Sequence, residues 1–149
     1  MILLSRKIKK IIKRQALQES PEECCGLIVS NNNKADAFPC RNVSEDNKNN
    51  YRIHESDYLA ASEKGEIEAV YHSHPSKNHY DNFTPLDLVN EGHDLEVILY
   101  LLHKDKFLIS SQNNYLNKYL ERDYVPEVTD CFTLLTDFYK DQLNIHVTK

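Results

Sequence analysis

The stretch "IEAVYHSHP", residues 67–75, ends an apolar run with two histidines that are two positions apart. A short run of apolar and β-branched residues predicts a buried β-strand. Alternate side chains of a strand project from the same face, so His72 and His74 are expected to face one point while Ser73 faces away. Pro75 has no N–H to donate to a sheet and is expected to end the strand. The pattern predicts two imidazoles at one end of a strand, where a metal and a substrate could reach them.

A carboxylate follows in the next predicted element, which opens with "TPLD" at residues 84–87. Thr84 is a suitable N-cap residue and Pro85 suits the first helical position, with Asp87 at the third. Gly92 marks the end of this predicted helix, residues 84–91. An isolated T-P-x-D pattern is most often a capping box, so Asp87 is either a cap residue only or also a metal ligand.

Two imidazoles and a carboxylate are ligand types that suit Zn²⁺. A catalytic zinc site takes three protein ligands, at about 2.0–2.2 Å, and leaves one position for water. His72, His74 and Asp87 fit that description, and a further carboxylate is needed to transfer a proton. Glu23 is the candidate for that second task. The ordinary alternatives are that the histidines are structural residues of a strand and that Glu23 is a helix-end charge.

The rest of the chain predicts alternating helices and strands. Helices are expected at residues 5–20 and from a Ser56 cap to Gly65, and strands at 24–30, 35–39, 51–54, 95–103 and 106–112, with a polar and mobile loop at 42–50. The glycine pattern of a dinucleotide-binding fold is missing. We therefore expect an α/β fold in which a mixed β-sheet is flanked by helices.

Composition limits the possible functions of the 149-residue chain. Its length suits one ordinary domain, and its formal net charge of −5 gives no electrostatic reason to expect nucleic acid as a partner. No apolar run approaches the length of a transmembrane segment, and the N-terminal "MILL" is too short for a secretory signal, so a soluble compartment is expected. The first helix carries a cluster of basic residues that predicts a solvated face: Lys7, Lys9, Lys10, Lys13 and Arg14.

The four cysteines form no C-x-x-C pair, which argues against a zinc ribbon or a disulfide framework. We expect reduced thiols, most of them buried in the core, at Cys24, Cys25, Cys40 and Cys131.

Taken together, these motifs resemble those of the JAMM metallopeptidases, the metal-binding branch of the MPN domain family. The family pattern is a glutamate three residues before a glycine, then H-x-H-P, then S-x-x-D. Here it reads "ECCG" at 23–26, "HSHP" at 72–75 and "TPLD" at 84–87, and the similarity spans roughly residues 4–112. The resemblance implies a JAMM/MPN domain at residues 1–115 with a cytidine-deaminase-like architecture.

The same resemblance implies a role for each site residue. His72, His74 and Asp87 would hold Zn²⁺, Glu23 would be the general acid/base, and Thr84 would stand where the family has a serine that stabilises an oxyanion. Threonine in that place could slow catalysis or alter the geometry. The segment between Pro75 and Thr84 is also about two residues longer than the family's, and it adds His79 and Asp81 as rival ligands.

The tail carries a second resemblance, after a predicted linker at residues 116–128. The segment "TDCFTLLTDFYKDQLNI", residues 129–145, is similar to the opening of an NlpC-type cysteine peptidase, in which an Asp-Cys pair begins a helix. A helix N-terminus lowers the pKa of a thiol, which would suit Cys131 as a nucleophile. His146 is too close in sequence to match the family's base. Residues 129–149 are therefore expected to be an incomplete module, more useful for docking than for catalysis.

A JAMM domain followed by an NlpC module is the order found in lambda K-like tail-assembly proteins of long-tailed phages. The resemblance implies a zinc-dependent peptidase or isopeptidase of the virion tail tip, assembled in the host cytoplasm with other tail-tip proteins. Its substrate would be a peptidoglycan peptide or a tail protein. The alternative is a structural tail-tip protein that keeps the fold and the zinc without significant catalysis.

Overall fold

The computed structural model describes residues 4–84, 87 and 95–110. The elements in chain order are α1 (Arg6–Glu19), β1 (Cys25–Asn31), β2 (Lys34–Cys40), α2 (Glu55–Lys64), β3 (Glu66–His74), β4 (Glu96–Leu101) and β5 (Lys106–Ile109). The five strands form a central sheet in the order β2-β1-β3-β4-β5. Strands β3 and β4 are parallel, and the other neighbours are antiparallel. The predicted mixed sheet with flanking helices is confirmed.

The two faces of the sheet carry separate apolar cores, because alternate strand residues point to opposite sides. Helix α1 covers one face, where Ile8 and Ile12 pack in a cluster with Tyr71. Ala61 of α2 belongs to the cluster on the other face, together with Val70. Among the described helices, none combines the length and the apolar character that a membrane span requires.

Helix α1 begins as the sequence predicts. The Ser5 side chain caps it by accepting a hydrogen bond from the Ile8 N–H. Its basic residues lie on the outer side, where Lys7 and Lys13 form ion pairs with Asp36 and Asp105, each at 2.9 Å. The predicted solvated face is confirmed.

The cysteine prediction also holds in the described part of the chain, where Cys24, Cys25 and Cys40 are buried thiols that form no disulfide. Cys131 lies outside the described residues.

Several element boundaries differ from the sequence predictions, and two of them have a clear local cause. Helix α2 starts at Glu55 with His54 as its cap, rather than from Ser56, because the His54 ring nitrogen accepts the Ser56 N–H. Strand β4 ends at Leu101, since a tight turn with a positive φ of 48° at Asp105 follows directly. Local side-chain contacts and turn geometry set these two ends, and the hydrophobic pattern of the sequence does not predict them.

The predicted strand at residues 51–54 is wrong. This segment forms only an isolated bridge, between Ile53 and Asn42. The Arg52 N–H donates to the Asn42 side chain at 3.0 Å. A side-chain oxygen thus satisfies a backbone group that a strand partner would otherwise take.

Gly26 of β1 is required by close packing against β3. A Cβ atom at this position would lie 2.2 Å from the ring carbon Cζ of Tyr71. The Tyr71 hydroxyl in turn donates to Gln15 of α1 at 2.5 Å, and the Gln15 amide donates to the Cys25 carbonyl at 2.8 Å. The glycine of the "ECCG" motif therefore makes room for the ring that ties α1 to the sheet.

We expect Gly26→Ala to lower the free energy of unfolding by about 1–3 kcal/mol, as overpacking of a core does. Chemical denaturation measures this directly. A double-mutant cycle with Tyr71→Ala is the control, because the alanine Cβ has room once the ring is gone and the two changes should then cost less together than their sum. Strictly additive effects would contradict this assignment.

Candidate metal centre

The pairing of β1 with β3 brings the first predicted site residues together. Cys25 lies opposite His72 in the antiparallel register. The Ser73 N–H donates to the Cys24 carbonyl at 3.1 Å, and the Ser73 hydroxyl accepts the Cys24 N–H at 2.9 Å. These contacts extend the alignment beyond the start of β1. Glu23, just before β1, therefore lies beside the C-terminal end of β3.

Four titratable side chains meet at this end of the sheet. Each offers one ligand atom, and these atoms all lie within 4.8 Å of one another. Their exposed fractions are only 0–3%. The site is thus buried within the protein rather than open at the end of the strand. The four residues are Glu23, His72, His74 and Asp87.

The separations suit a tetrahedral metal ion. Asp87 Oδ2 lies 3.2 Å from His72 Nε2 and 3.4 Å from His74 Nε2. Ligand atoms bound to one tetrahedral zinc at its usual bond lengths lie about 3.3–3.4 Å apart. Glu23 Oε1 is farther away, at 3.8 Å from His74 Nε2. The geometry supports three ligands with a glutamate beside them.

Neighbouring groups fix the orientation of both imidazoles. The Tyr80 carbonyl oxygen accepts a hydrogen bond from His74 Nδ1 at 2.7 Å, which leaves the Nε2 lone pair facing Asp87. The His72 ring stacks on Tyr51, with ring centroids 4.4 Å apart and planes 17° apart. Both rings are therefore held with Nε2 toward the centre of the cluster.

Several buried polar atoms in the cluster make no hydrogen bond with the described residues. They are both carboxylate oxygens of Glu23 and both ring nitrogens of His72, whose Nε2 lies 3.2 Å from Asp87 Oδ2 but outside hydrogen-bond geometry. Buried polar atoms in folded proteins nearly always have a partner. A cation among these residues would account for His72 Nε2, and water beside it would account for Glu23.

The charges of the cluster also suit a divalent cation. Burial lowers the pKa of His72, which favours the neutral ring that binds metals, although Asp87 acts in the opposite direction. Burial alone would raise the pKa of Asp87, but its contacts with His72, His74 and the Thr84 N–H hold that pKa well below its usual value. The cluster therefore offers a metal the neutral ring of His72 and the ionised carboxylate of Asp87.

The pKa of Glu23 is shifted in the opposite direction to that of Asp87. Burial, together with the negative charges of Asp87 and Asp46, raises its pKa to about 9. Two neighbouring carboxyl groups with pKa values pushed apart are a common arrangement for acid and base roles in an active site.

Asp87 is also a capping residue, so the two sequence interpretations are compatible. The Thr84 N–H donates to Asp87 Oδ2 at 2.8 Å, and the Asp87 N–H donates to Thr84 Oγ1 at 3.2 Å. The reciprocal pair fixes the carboxylate while Oδ2 faces the histidines. Most of the helix predicted at residues 84–91 lies outside the described residues.

The two rival ligands take other roles. His79 stacks on His74, with centroids 5.5 Å apart, while its Nδ1 accepts the Ser76 N–H at 3.3 Å and its Nε2 contacts the Lys48 carbonyl. Asp81 pairs with Lys104, and its side chain is 58% exposed. Neither residue belongs to the cluster.

Sequence reasoning missed several supporting residues. The stacking of Tyr51 and the use of the Tyr80 carbonyl leave no local signature in the sequence. His79 attracted notice only as a possible ligand, whereas its contacts make it a support for His74.

Comparison with known proteins is consistent with this geometry. Residues 5–107 match the family of prokaryotic homologs of the JAB domain, named Prok-JAB. The chain belongs to this family. The resemblance to the JAMM/MPN group is thus confirmed at the level of the JAB domain.

The Prok-JAB match does not reach the predicted linker and NlpC-type segment, residues 116–149, which also lie outside the described residues and stay predictions.

Two individual proteins are similar over part of their length. Tail tip assembly protein K of Escherichia phage N15 is 38% identical over 64 residues, which are 43% of this chain and 26% of that protein. The chain thus matches about a quarter of the length of this relative. The solution structure of protein DSY2949 from Desulfitobacterium hafniense has a TM-score of 0.56 at 18% identity, covering 73% of this chain and 81% of the other. The structural likeness shows a shared fold.

We expect His72→Ala and Asp87→Ala to abolish retention of a divalent metal, because each removes one of the three candidate ligands that converge in the cluster. Asp81→Ala is the matched control, since it removes a carboxylate that pairs only with Lys104 and should leave metal retention intact. Metal content after gel filtration, measured by elemental analysis, separates these variants. Loss of metal in Asp81→Ala with retention in Asp87→Ala would reassign the third ligand.

In the metal-free protein, Glu23 is expected to make the fold less stable as the pH rises from about 4.5 to about 9. The folded-state pKa of about 9 lies above the ordinary value of 4.5, so the folded chain binds more protons over this interval and the free energy of unfolding falls. Below the ordinary value, the carboxyl group is protonated in both states and the effect is constant.

Glu23→Gln removes this dependence while keeping the shape of the side chain. Urea denaturation of chelator-treated wild-type and variant protein, at about pH 5 and about pH 8, should give a stability difference that moves in favour of the variant at the higher pH. Parallel pH profiles for the two proteins would show that burial does not raise the pKa of Glu23.

Proposed function

We propose that this protein is a zinc-dependent peptidase or isopeptidase of a phage tail tip. The observation that carries the proposal is the buried cluster of two oriented imidazoles, one ionised carboxylate and a second carboxylate without a hydrogen-bond partner in the described part of the chain. Membership of the JAB-domain family and similarity to a tail tip assembly protein support the chemistry and the setting, respectively.

Zinc is the proposed metal because its preferred ligands and tetrahedral geometry match the nitrogen and oxygen atoms of His72, His74 and Asp87. When bound, Zn²⁺ supplies Lewis-acid polarisation of a carbonyl and makes water acidic enough to be a nucleophile near neutral pH. His72, His74 and Asp87 would hold the ion, and the Tyr80 carbonyl and the Thr84 N–H fix the orientation of His74 and Asp87.

Glu23 is the proposed general acid/base. It takes a proton from the attacking water and delivers it to the leaving amine nitrogen, which needs a group that is stable both with and without the proton. Its burial and raised pKa favour the protonated form that donates to the amine. A cation nearby favours the ionised form that accepts from water.

Thr84 is the proposed oxyanion donor. Its hydroxyl oxygen accepts the Asp87 N–H, and this contact leaves the hydroxyl hydrogen free to donate to a developing negative charge. A single donor of this kind contributes about a hundred- to a thousandfold in rate. Its place next to Asp87 keeps the donor close to the cluster.

The proposed setting is the virion tail tip, with assembly in the host cytoplasm and other tail-tip proteins as partners. The bond cleaved would be an amide in a peptidoglycan peptide or in a tail protein. Both substrates present a carbonyl that a metal could polarise and an amine that Glu23 could protonate.

One observation favours a second candidate, a structural tail-tip protein that binds zinc without significant catalysis. Glu23 and His72 have no exposed surface, and His74 and Asp87 are only 3% exposed. Such burial leaves little room for a substrate to approach, whereas a catalytic zinc site needs a coordination position that water and substrate can reach.

Hydrolysis of cross-linked muropeptides and of isopeptide-linked model peptides by wild-type protein and by Glu23→Gln separates the two candidates. We expect the variant to keep its zinc and to lose about a hundred- to ten-thousandfold in kcat, the usual contribution of general acid/base catalysis. Glu22→Gln is the matched control, because it changes the adjacent and exposed carboxylate. Stoichiometric zinc with no Glu23-dependent hydrolysis of either substrate would favour the structural candidate.

A further inference from the structure

Both backbone groups of Glu23 are held by the loop at residues 42–50, which the sequence alone predicts to be mobile. The Glu23 N–H donates to the Asn47 carbonyl at 2.8 Å. The Glu23 carbonyl accepts from the Asn42 side-chain amide at 2.9 Å. The same amide group donates to the carbonyls of Asn47, at 3.3 Å, and Asn50, at 2.9 Å. The Asn42 side chain thus connects the backbone of Glu23 with the backbone at the C-terminal end of the loop.

The side-chain oxygen of Asn42 contacts the chain at two further points, one within the loop and one just after it. Its oxygen accepts the Ser44 N–H at 3.1 Å and the Arg52 N–H at 3.0 Å. Asn42 therefore contacts five backbone groups: two N–H groups donate to its oxygen, and three carbonyls share the two hydrogens of its amide nitrogen. Of the standard side chains of this size, only the asparagine amide offers both donors and acceptors in this geometry.

The carboxylate of Glu23 depends on this backbone support. Neither of its oxygens has a hydrogen-bond partner among the described residues. Glu23 also precedes β1, so it lacks the regular ladder of hydrogen bonds that holds His72 and His74. The direction of its side chain is consequently set by where its backbone is anchored.

We propose that Asn42 is a positioning residue, which sets the place of the Glu23 carboxylate relative to His72, His74 and Asp87. This inference rests on the proposed function of the same site. Asn42 touches none of the three proposed ligands through the contacts above, so its effect is on proton transfer and not on metal binding. A displacement of about 1 Å in a reacting group can cost about a hundredfold in rate.

Two variants of Asn42 and one control test the inference in the zinc-loaded 149-residue chain. Asn42→Asp keeps the size of the side chain but loses its donors, and Asn42→Ser loses most of the contacts without adding a charge. Asn49→Ser is the matched control in the same loop, because the side-chain amide of Asn49 donates only to the Asp46 carboxylate in the described structure. Zinc affinity is measured by competition with a chromophoric chelator.

Hydrogen exchange at the Glu23 amide, followed by NMR, reports its backbone anchoring without any substrate. We expect exchange to be at least about fivefold faster in both Asn42 variants than in wild-type protein and in Asn49→Ser, with zinc affinity unchanged. In wild-type protein, this amide should be protected to the same degree as the amides of β1. An unprotected Glu23 amide in wild-type protein would overturn the inference even if neither Asn42 variant folds.

Kinetics distinguish positioning from a general loss of stability. Both Asn42 variants should lose about a hundredfold in kcat with KM unchanged. If Glu23→Gln abolishes hydrolysis while both Asn42 variants keep wild-type kcat, the inference is wrong and the proposed function stands. If Glu23→Gln has no effect on hydrolysis while the Asn42 variants speed hydrogen exchange at the Glu23 amide, the proposed function fails and the anchoring of Glu23 stands.

Discussion

The antiparallel pairing of β1 with β3 is the interaction on which the candidate site depends. It places Cys25 opposite His72, and the Ser73 contacts with Cys24 carry the alignment to the residue before it. A shift of this register by one residue would move alternate side chains to the other face of the sheet. The histidines would then face α1 instead of Glu23. The packing of Tyr71 on Gly26 occurs only in this register, so a core contact and a site contact reinforce each other.

The cluster combines four titratable groups in a buried part of the protein. Burying charges is costly unless they are paired or bind a metal. Asp87 is balanced by its cap and by the imidazoles, but neither oxygen of Glu23 has a hydrogen-bond partner among the described residues. A cation would reduce this imbalance, and chelation should therefore affect the fold as well as any activity.

The sequence allows prediction of the residues that follow a regular pattern. His72 and His74 are recognisable from strand alternation and Asp87 from helix capping, because both signals are local and periodic. The supports of these residues are not predictable in this way. Tyr51 reaches His72 across a long stretch of chain, and Asn42 lies in a polar segment without periodicity.

The error at residues 51–54 has the same physical origin. The segment "YRIH" has the composition of a strand, but an amide side chain takes the backbone group that a neighbouring strand would need. Tertiary hydrogen bonds of this kind override local propensity. The loop at residues 42–50 is likewise held by contacts that only the folded chain brings together.

The parallel pairing of β3 with β4 has a consequence for how this part of the chain can vary. A parallel connection must return the whole length of the sheet, so the chain between His74 and Glu96 needs a long path whatever its sequence. Asp87 lies within that obligatory return. Because the Thr84–Asp87 pair carries its own reciprocal cap, the carboxylate is held locally rather than by the ladder of either strand. Sequence changes in this connection are therefore compatible with the cluster as long as the pair and the Tyr80 contact with His74 are kept.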